Sequence, residues 1–281
     1  MASPTRPPRV VVTPAGRRRY VELLYRHLAS QRPTGAFDRW QIWLNTTDAE
    51  DLAYLRGLAR AHPDWIDARE LTVPHDGSLS IWSFFAGACE RGTTYLRFDD
   101  DIVWMEPGFV DAVMTYREAH RDPFLVYGAT VNNAVVSHLF QRFGAVGTAH
   151  GQAGYACMDD VGWNNGPFAE ELHRAFLAAL ASGDLGGWRF PAWTLRDYER
   201  ASINCISWLG DDFAEFGGRV GNDEELWLSI EKPRELRRPN VIAGGKLCVH
   251  FAFYTQRPTL DPTSILESYA ALAPPAPPPA P

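Results

Sequence analysis

The chain has 281 residues, a hydrophobic content of 46% and a formal net charge of −7. That length predicts one large domain with an ordinary globular core, and the negative charge lacks the basic footprint that non-specific nucleic-acid binding needs. No apolar run approaches the roughly eighteen residues of a spanning helix, so no membrane span is expected. The four cysteines, Cys89, Cys157, Cys205 and Cys248, form no CxxC pair. This excludes a zinc-ribbon or thioredoxin-like pattern and suggests thiols in a reducing compartment. The Pro-rich start, Met1 to Pro8, has no signal-peptide core, and the reading is of a soluble cytoplasmic protein.

Residues 1–8 are expected to be a disordered tail. Arg9 to Thr13 is a buried-type strand, and Tyr20, Leu23, Leu24, His27 and Leu28 repeat at helical spacing. Arg39 to Asn45 predicts a second strand. Thr47 and Glu50 form a capping box for a helix carrying Leu52, Leu55 and Ala59. Glu70 to Val73 predicts a short strand, His75 to Gly77 a turn, and Trp82, Phe85, Ala86 and Cys89 one helical face. A strand over 93–98 then runs into three consecutive acids, Asp99, Asp100 and Asp101. Pro107 opens a helix, Phe124 to Val131 is a strand, and 132–167 reads as a long irregular stretch. A helix with Phe168, Leu172, Phe176 and Leu180 follows. Residues 201–209 look extended, Asn222 starts a helix, and Lys246 to Tyr254 is the last strand. The end of the chain, almost only Ala and Pro, reads as a tail. Strand–helix alternation predicts an α/β domain with a mostly parallel sheet flanked by helices. Such sheets bind ligands at the carboxyl ends of their strands, where the acidic triplet lies.

Three like charges in a row repel one another unless water or a cation offsets them, and a hard divalent cation is the usual beneficiary. If extended geometry persists, Asp99 and Asp101 share one side of the chain and Asp100 takes the other. The ordinary alternative is a solvated turn, where Asp is common. In Gly217 to Trp227, Asn222 reads as an N-cap with Glu225 completing a capping box, and the acids suit a helix start. The functional alternative there is a general base beside a cleft. In Lys246 to Tyr254, alternation puts Leu247, Val249, Phe251 and Phe253 on a core face and His250 on the other. Neutral imidazole can complete a carboxylate-bound Mn²⁺ site. The junction Thr13-Pro14-Ala15-Gly16-Arg17 can hold part of a nucleotide but matches neither GxGxxG nor GxxxxGK[ST]. Arg97, Lys246 and Arg257 are candidate phosphate partners.

In this order, three segments resemble the nucleotide-sugar-dependent glycosyltransferases of the GT-A fold, closest in pattern to glycosyltransferase family 2. They are Tyr95 to Asp101 with its Asp-x-Asp, Ser202 to Leu226 with its Gly-Gly turn and acidic helix start, and His250. The resemblance covers about residues 9–257. It implies a single GT-A-like domain, with 9–131 as the nucleotide-sugar-binding half and 132–260 as the acceptor-binding and catalytic half. An Ala/Pro-rich tail over 261–281 follows. Asp99 would contact the ribose, Asp101 would bind Mn²⁺ or Mg²⁺ on the diphosphate, and His250 would complete the metal shell. Thr13, Pro14, Ala15, Arg17, Asp76, Arg97 and Asp100 are the other nucleotide-site candidates. Asp100 has no assigned contact, and its substitution is expected to be the mildest of the triplet. Asp223 takes the position of the catalytic base, with Glu224 as the alternative because Asn222 replaces the usual Glu. The implied reaction is hexosyl transfer from a nucleoside-diphosphate sugar, a UDP-sugar being favoured, with inversion. The acceptor would be a soluble small molecule or oligosaccharide, and Trp163, Trp188, Trp193 and Trp208 lie in the half expected to bind it. A retaining transferase with the same metal site and a sugar nucleotidyltransferase are the alternatives.

Overall fold

A single sheet of nine strands organises the computed structural model, which describes residues 6–276. Residues 1–5 and 277–281 of the two expected tails lie outside the described residues. The first half alternates as its pattern predicts: β1 (Arg9–Ala15), α1 (Arg18–Gln31), β2 (Arg39–Leu44), α2 (Ala49–Ala61), β3 (Ile66–Glu70) and β4 (Thr94–Phe98). Then come β5 (Ile102–Met105), α3 (Phe109–Ala119), β6 (Val126–Val131), α4 (Ala134–Arg142) and α5 (Gly166–Ser182). The second half adds β7 (Trp193–Thr194), β8 (Cys205–Leu209), α6 (Gly210–Ala214), α7 (Glu224–Leu226), α8 (Lys232–Leu236), β9 (Val241–His250), α9 (Arg257–Leu260) and α10 (Ile265–Leu272).

The strand order is β3-β2-β1-β4-β8-β6-β9-β5, with β7 beside β9. Strands β1 to β4, β6 and β9 run one way, and β5, β7 and β8 run the other. Six of the nine strands thus share one direction, while four strand pairings are parallel and four antiparallel, so the sheet is mixed. The carboxyl ends of β1, β4, β6 and β9 share one edge with the amino end of β8. Alternation along the strands fills both faces. Val10, Val12 and Tyr95 join one buried cluster, while Val11, Leu96 and Phe98 join the other. Tyr95 lies opposite Trp208 across β4 and β8, and the two rings stack with centroids 5.3 Å apart. This cross-strand pair helps hold β8 in register beside the triplet strand.

Several elements differ from the sequence reading. The strand expected at 70–73 lies earlier, as β3. The face from Trp82 to Cys89 belongs to a 3-10 segment, Gly77–Gly87, rather than an α-helix. The cap of α2 is Asp48, whose side chain accepts from the backbone N–H of Glu50 and Asp51, not the Thr47/Glu50 box. Strand β5 was hidden by the acids before it. Helix α4 lies inside the stretch read as irregular, where Asn133 caps it by accepting from the Val136 N–H.

The tail expected from 261 begins with ordered structure. Helix α10 buries Ile265 and Tyr269, and Arg26 of α1 donates to the carbonyls of Ala270, Ala273 and Pro274. A cation at a helix C-terminus satisfies carbonyls that have no partner within the helix. Tyr269 donates its hydroxyl to His173 Nδ1 at 3.0 Å, because His173 Nε2 donates to the Phe251 carbonyl at 2.8 Å. This chain ties α10 to the residue after His250. Tyr269→Phe strands a buried ring nitrogen and is expected to cost about 1–3 kcal/mol. Urea unfolding reads this directly, and an unchanged midpoint and slope would contradict the assignment.

Candidate active site

A cleft of about 790 Å³ opens at the strand edge just described. Its walls come from the β1–α1 junction, the end of β2, the turn after β4, the approach to β8, the start of α7 and the end of β9. The β1 and β2 loops meet tightly: a Cβ on Gly16 would lie 2.4 Å from the Asn45 carbonyl oxygen. Only glycine permits that approach.

Strand β4 ends at Phe98, and the triplet turns rather than continuing extended. The Ile102 N–H donates to the Asp99 carbonyl at 3.3 Å. The alternation expected for the three acids is thereby lost. Asp100 and Asp101 both face Arg17. Arg17 Nε donates to Asp100 Oδ1 at 3.0 Å, its Nη2 makes a second ion pair with the same carboxylate, and the Gly16 N–H donates to Oδ2 at 2.9 Å. Arg17 Nη2 also lies 3.0 Å from Asp101 Oδ2, and Arg257 Nη2 lies 3.4 Å from the same oxygen. Burial opposes the Arg17 charge, but Asp101 and Asp100 outweigh it and raise its proton affinity.

Asp101 and His250 meet at the centre of this edge. His250 Nδ1 donates to the Asn132 carbonyl at 3.0 Å, so a neutral ring would carry its lone pair on Nε2. Burial lowers the ring's proton affinity, but Asp101 outweighs it and raises it, which favours a proton on Nε2 that a bound metal would replace. Asn132 is itself held at a φ of 62° by its buried amide, which donates to the Phe251 carbonyl and Gln256 Oε1. His250 Nε2 faces Asp101 Oδ1 at 3.4 Å, and that buried oxygen has no hydrogen-bond partner among the described residues. Burial works against the Asp101 charge, but Arg17 and then His250 outweigh it and hold the carboxyl below the ordinary carboxylate range. A proton shared with the ring satisfies both atoms in the metal-free fold, and with the ring neutral the pair offers two electron-pair donors to a metal ion. Among the described residues no three His, Cys, Asp or Glu side chains gather as a metal-binding set. A two-residue site still fits a hard divalent cation that takes its remaining oxygens from water and a substrate diphosphate. The imidazole suits Mn²⁺ better than Mg²⁺.

The second cluster centres on Arg97, which is buried. It donates to Asp99 Oδ1 at 2.8 Å from Nη2 and to Glu224 Oε1 at 3.0 Å from Nη1. Asn204 Nδ2 donates to Asp99 Oδ2 at 3.0 Å. Glu224 keeps its other oxygen, Oε2, buried and without a hydrogen-bond partner among the described residues. Burial pushes this carboxyl up to about 7, against the pull of Arg97 and with help from Asp99 and Glu225.

Asp223 is placed differently. It, rather than Asn222, caps α7: its carboxylate accepts from the Leu226 N–H at 3.0 Å and from Arg200 at 2.9 Å. Asp223 is half exposed and does not line the cleft, whereas Glu224 and Glu225 do. The Gly217-Gly218 turn before it has both residues at positive φ. A Cβ on Gly218 would lie 2.3 Å from the Phe85 carbonyl oxygen.

Of the other expected nucleotide-site residues, Pro14, Arg17, Arg97, Asp99 and Asp100 reach the cleft. Thr13 and Ala15 are buried in β1, and the Thr13 hydroxyl accepts from Trp40 Nε1 at 3.0 Å. Asp76 is exposed outside the cleft, while its neighbours His75 and Gly77 line it. Sequence reasoning missed Asn45, Thr46 and Asn204. Their position at strand ends was the available signal, since both strands are legible.

No protein-family model matches the chain, and no curated protein matches it. Solved structures do resemble it. GalNAc-T7, solved with UDP, GalNAc and Mn²⁺, is similar over 90% of this chain and 45% of its own, with a TM-score of 0.55 and 8% identity. Mannosyltransferase PcManGT from Pyrobaculum calidifontis, in complex with GDP-Man and Mn²⁺, is similar over 88% of this chain and 58% of its own, with a TM-score of 0.47 and 13% identity. Glucosyl-3-phosphoglycerate synthase from Mycobacterium tuberculosis, with Mn²⁺, UDP and glucosyl-3-phosphoglycerate, covers 94% of this chain and 78% of its own at a TM-score of 0.48 and 15% identity. The chain thus spans about half the length of the first two. At such identities the likeness is one of fold. The chain has the expected GT-A-like α/β fold.

The structure gives Asp100 the contacts that the sequence left unassigned, to Gly16 and Arg17. Asp100→Asn removes the charge that anchors Arg17 and is expected to cost about 1–3 kcal/mol. Chemical denaturation measures it, and a value within ~0.5 kcal/mol of wild type, as for an ordinary surface change, would contradict the anchor.

Proposed function

We propose that the chain is a glycosyltransferase that moves a sugar from a nucleoside-diphosphate sugar to an acceptor hydroxyl with the help of a divalent metal ion. The observation that carries this reading is the buried Asp101–His250 donor pair beside Arg17 and Arg257 at the strand carboxyl ends. Asp101 and His250 would hold Mn²⁺ or Mg²⁺, and a metal bound there supplies Lewis-acid neutralisation of charge on the diphosphate leaving group. Arg17 and Arg257 offer guanidinium donors to the same phosphates. Asp99, held by Arg97 and Asn204 and lining the cleft, would accept from a ribose hydroxyl. A UDP-sugar is the favoured donor.

Glu224 is the proton acceptor in this scheme. Arg97 holds one of its oxygens in place, the other is uncommitted, and a carboxyl raised to about 7 is matched to base work near neutral pH. Asp223, committed to the helix cap and Arg200, serves to set the orientation of α7. In-line attack by the activated hydroxyl inverts the anomeric centre. No helix among the described residues is long and apolar enough to cross a membrane. The cysteines are all free thiols, which fits a cytoplasmic setting.

Thermal shift with UDP and GDP tests the donor half. Wild type is expected to gain stability from a nucleoside diphosphate only with Mn²⁺ or Mg²⁺ present, by about 2.7 kcal/mol at a hundred times Kd. Asp101→Ala is expected to lose that metal-dependent part. No metal-dependent gain with any nucleoside diphosphate would refute the reading.

The base assignment has its own test. Glu224→Gln is expected to lower kcat about 10²- to 10⁴-fold, and Asp223→Asn by less than about tenfold. The base must be deprotonated, so wild-type kcat falls as pH drops through about 7. A larger loss in Asp223→Asn would move the base to Asp223.

A further inference from the structure

Four tryptophans are candidates for contact with an acceptor, and the fold separates them. Trp188 and Trp208 are buried in the core, and Trp193 donates its indole N–H to the Tyr155 hydroxyl at 2.6 Å. Only Trp163 lines the cleft, where it meets Tyr254 edge to face with centroids 5.2 Å apart. Tyr254 is 70% exposed and also lines the cleft. The loop under Trp163 is pinned. Asp159 Oδ2 accepts from the Val161 N–H, the Trp163 N–H donates to the Asp159 carbonyl, and Thr255 donates its hydroxyl to the Trp163 carbonyl at 2.7 Å. A rigid loop and the segment just past His250 thus present two aromatic rings at the mouth of the cleft.

Charge narrows what such rings receive. The cleft is lined by six carboxylates and three arginines. Arg97 is engaged by Asp99 and Glu224, while Arg17 and Arg257 flank Asp101. Arg200, the cation nearest Glu225, is taken by Asp223 and Glu225. The two arginines beside Glu224 and Glu225, Arg97 and Arg200, are each paired with two carboxylates, and Arg17 and Arg257 are assigned to the donor's phosphates. A phosphorylated or carboxylated acceptor approaching Glu224 would therefore meet like charge that repels it. A pyranose offers hydroxyls for carboxylates and an apolar C–H face for aromatic rings.

We propose that Trp163 and Tyr254 form an acceptor platform selecting the sugar ring of a neutral glycoside. This rests on the glycosyltransferase reading and names its acceptor class. Ligand-observed NMR on the full chain tests it, with methyl glucoside, methyl mannoside, lactose and 3-phosphoglycerate as probes, each with and without UDP and Mg²⁺. At least one neutral glycoside is expected to bind more tightly than 3-phosphoglycerate. Trp163→Ala and Tyr254→Ala are each expected to weaken it about tenfold, and Trp163→Phe to restore most of the loss. Tyr254 is exposed, so its variant reports on binding without a folding change. The proposal is overturned if 3-phosphoglycerate binds best, if no probe binds, or if Trp163→Ala/Tyr254→Ala binds the glycoside like wild type. Titration with UDP and Mg²⁺ alone reports separately on the donor half: glycoside binding without UDP binding would keep the platform and sink the glycosyltransferase reading.

Discussion

Asp101 Oδ1 and His250 Nε2 lie face to face, 3.4 Å apart, where the sheet edge is nearly closed to water, and they need a cation, a proton or a metal ion, between them. Neither group can turn away. The ring of His250 is fixed through Nδ1 by the Asn132 carbonyl, and the Asp101 carbonyl accepts from the Phe251 N–H at 2.9 Å. The arrangement is costly unless a positive charge lies between or beside the donors. Much of the surrounding structure supplies or steers that charge: Arg17 and Arg257 from one side, and the strand geometry that sets β4 and β9 at the same edge.

The rest of the cleft follows the same logic of buried charge held by specific partners. Arg97 is buried with two carboxylates, and its removal would leave both without their cation. Leaving one partner of such a cluster unpaired is far more damaging than replacing the whole cluster by apolar groups. These ion pairs therefore say little about net stability and much about orientation. They aim Asp99 and Glu224 into one volume from two distant segments. Arg200 does the same one layer out, where it bridges Asp223 and Glu225 across the start of α7. Cys157 donates its thiol to Glu225 Oε1 at 2.8 Å, joining the irregular loop to that helix start.

Much of this was legible in the chain. Alternation through 246–254 separates Leu247, Val249 and Phe251 from His250, and strand–helix alternation places the acids at a ligand-binding edge. What local pattern could not show is of two kinds. The first is register at a cap. Reading Asn222 rather than Asp223 as the N-cap shifts the helix start by one residue, and one residue is about 100° of rotation. That rotation decides whether Asp223 or Glu224 faces the cleft. The second is contact across long sequence separation. Arg17 reaches Asp100, Arg97 reaches Glu224 and Asn132 reaches His250, and no periodicity encodes any of these. The turn at Asp100 belongs with them, because an extended reading of three acids is broken by partners more than eighty residues away.

The central claim is that Asp101 and His250 share one divalent cation with a bound nucleoside diphosphate. Pulsed electron paramagnetic resonance on ¹⁵N-histidine-labelled protein with Mn²⁺ and UDP addresses it directly. The account predicts a nitrogen coupling to the manganese in wild type that disappears in His250→Gln. A manganese signal that depends on UDP but carries no histidine coupling, or one unchanged in His250→Gln, would contradict it.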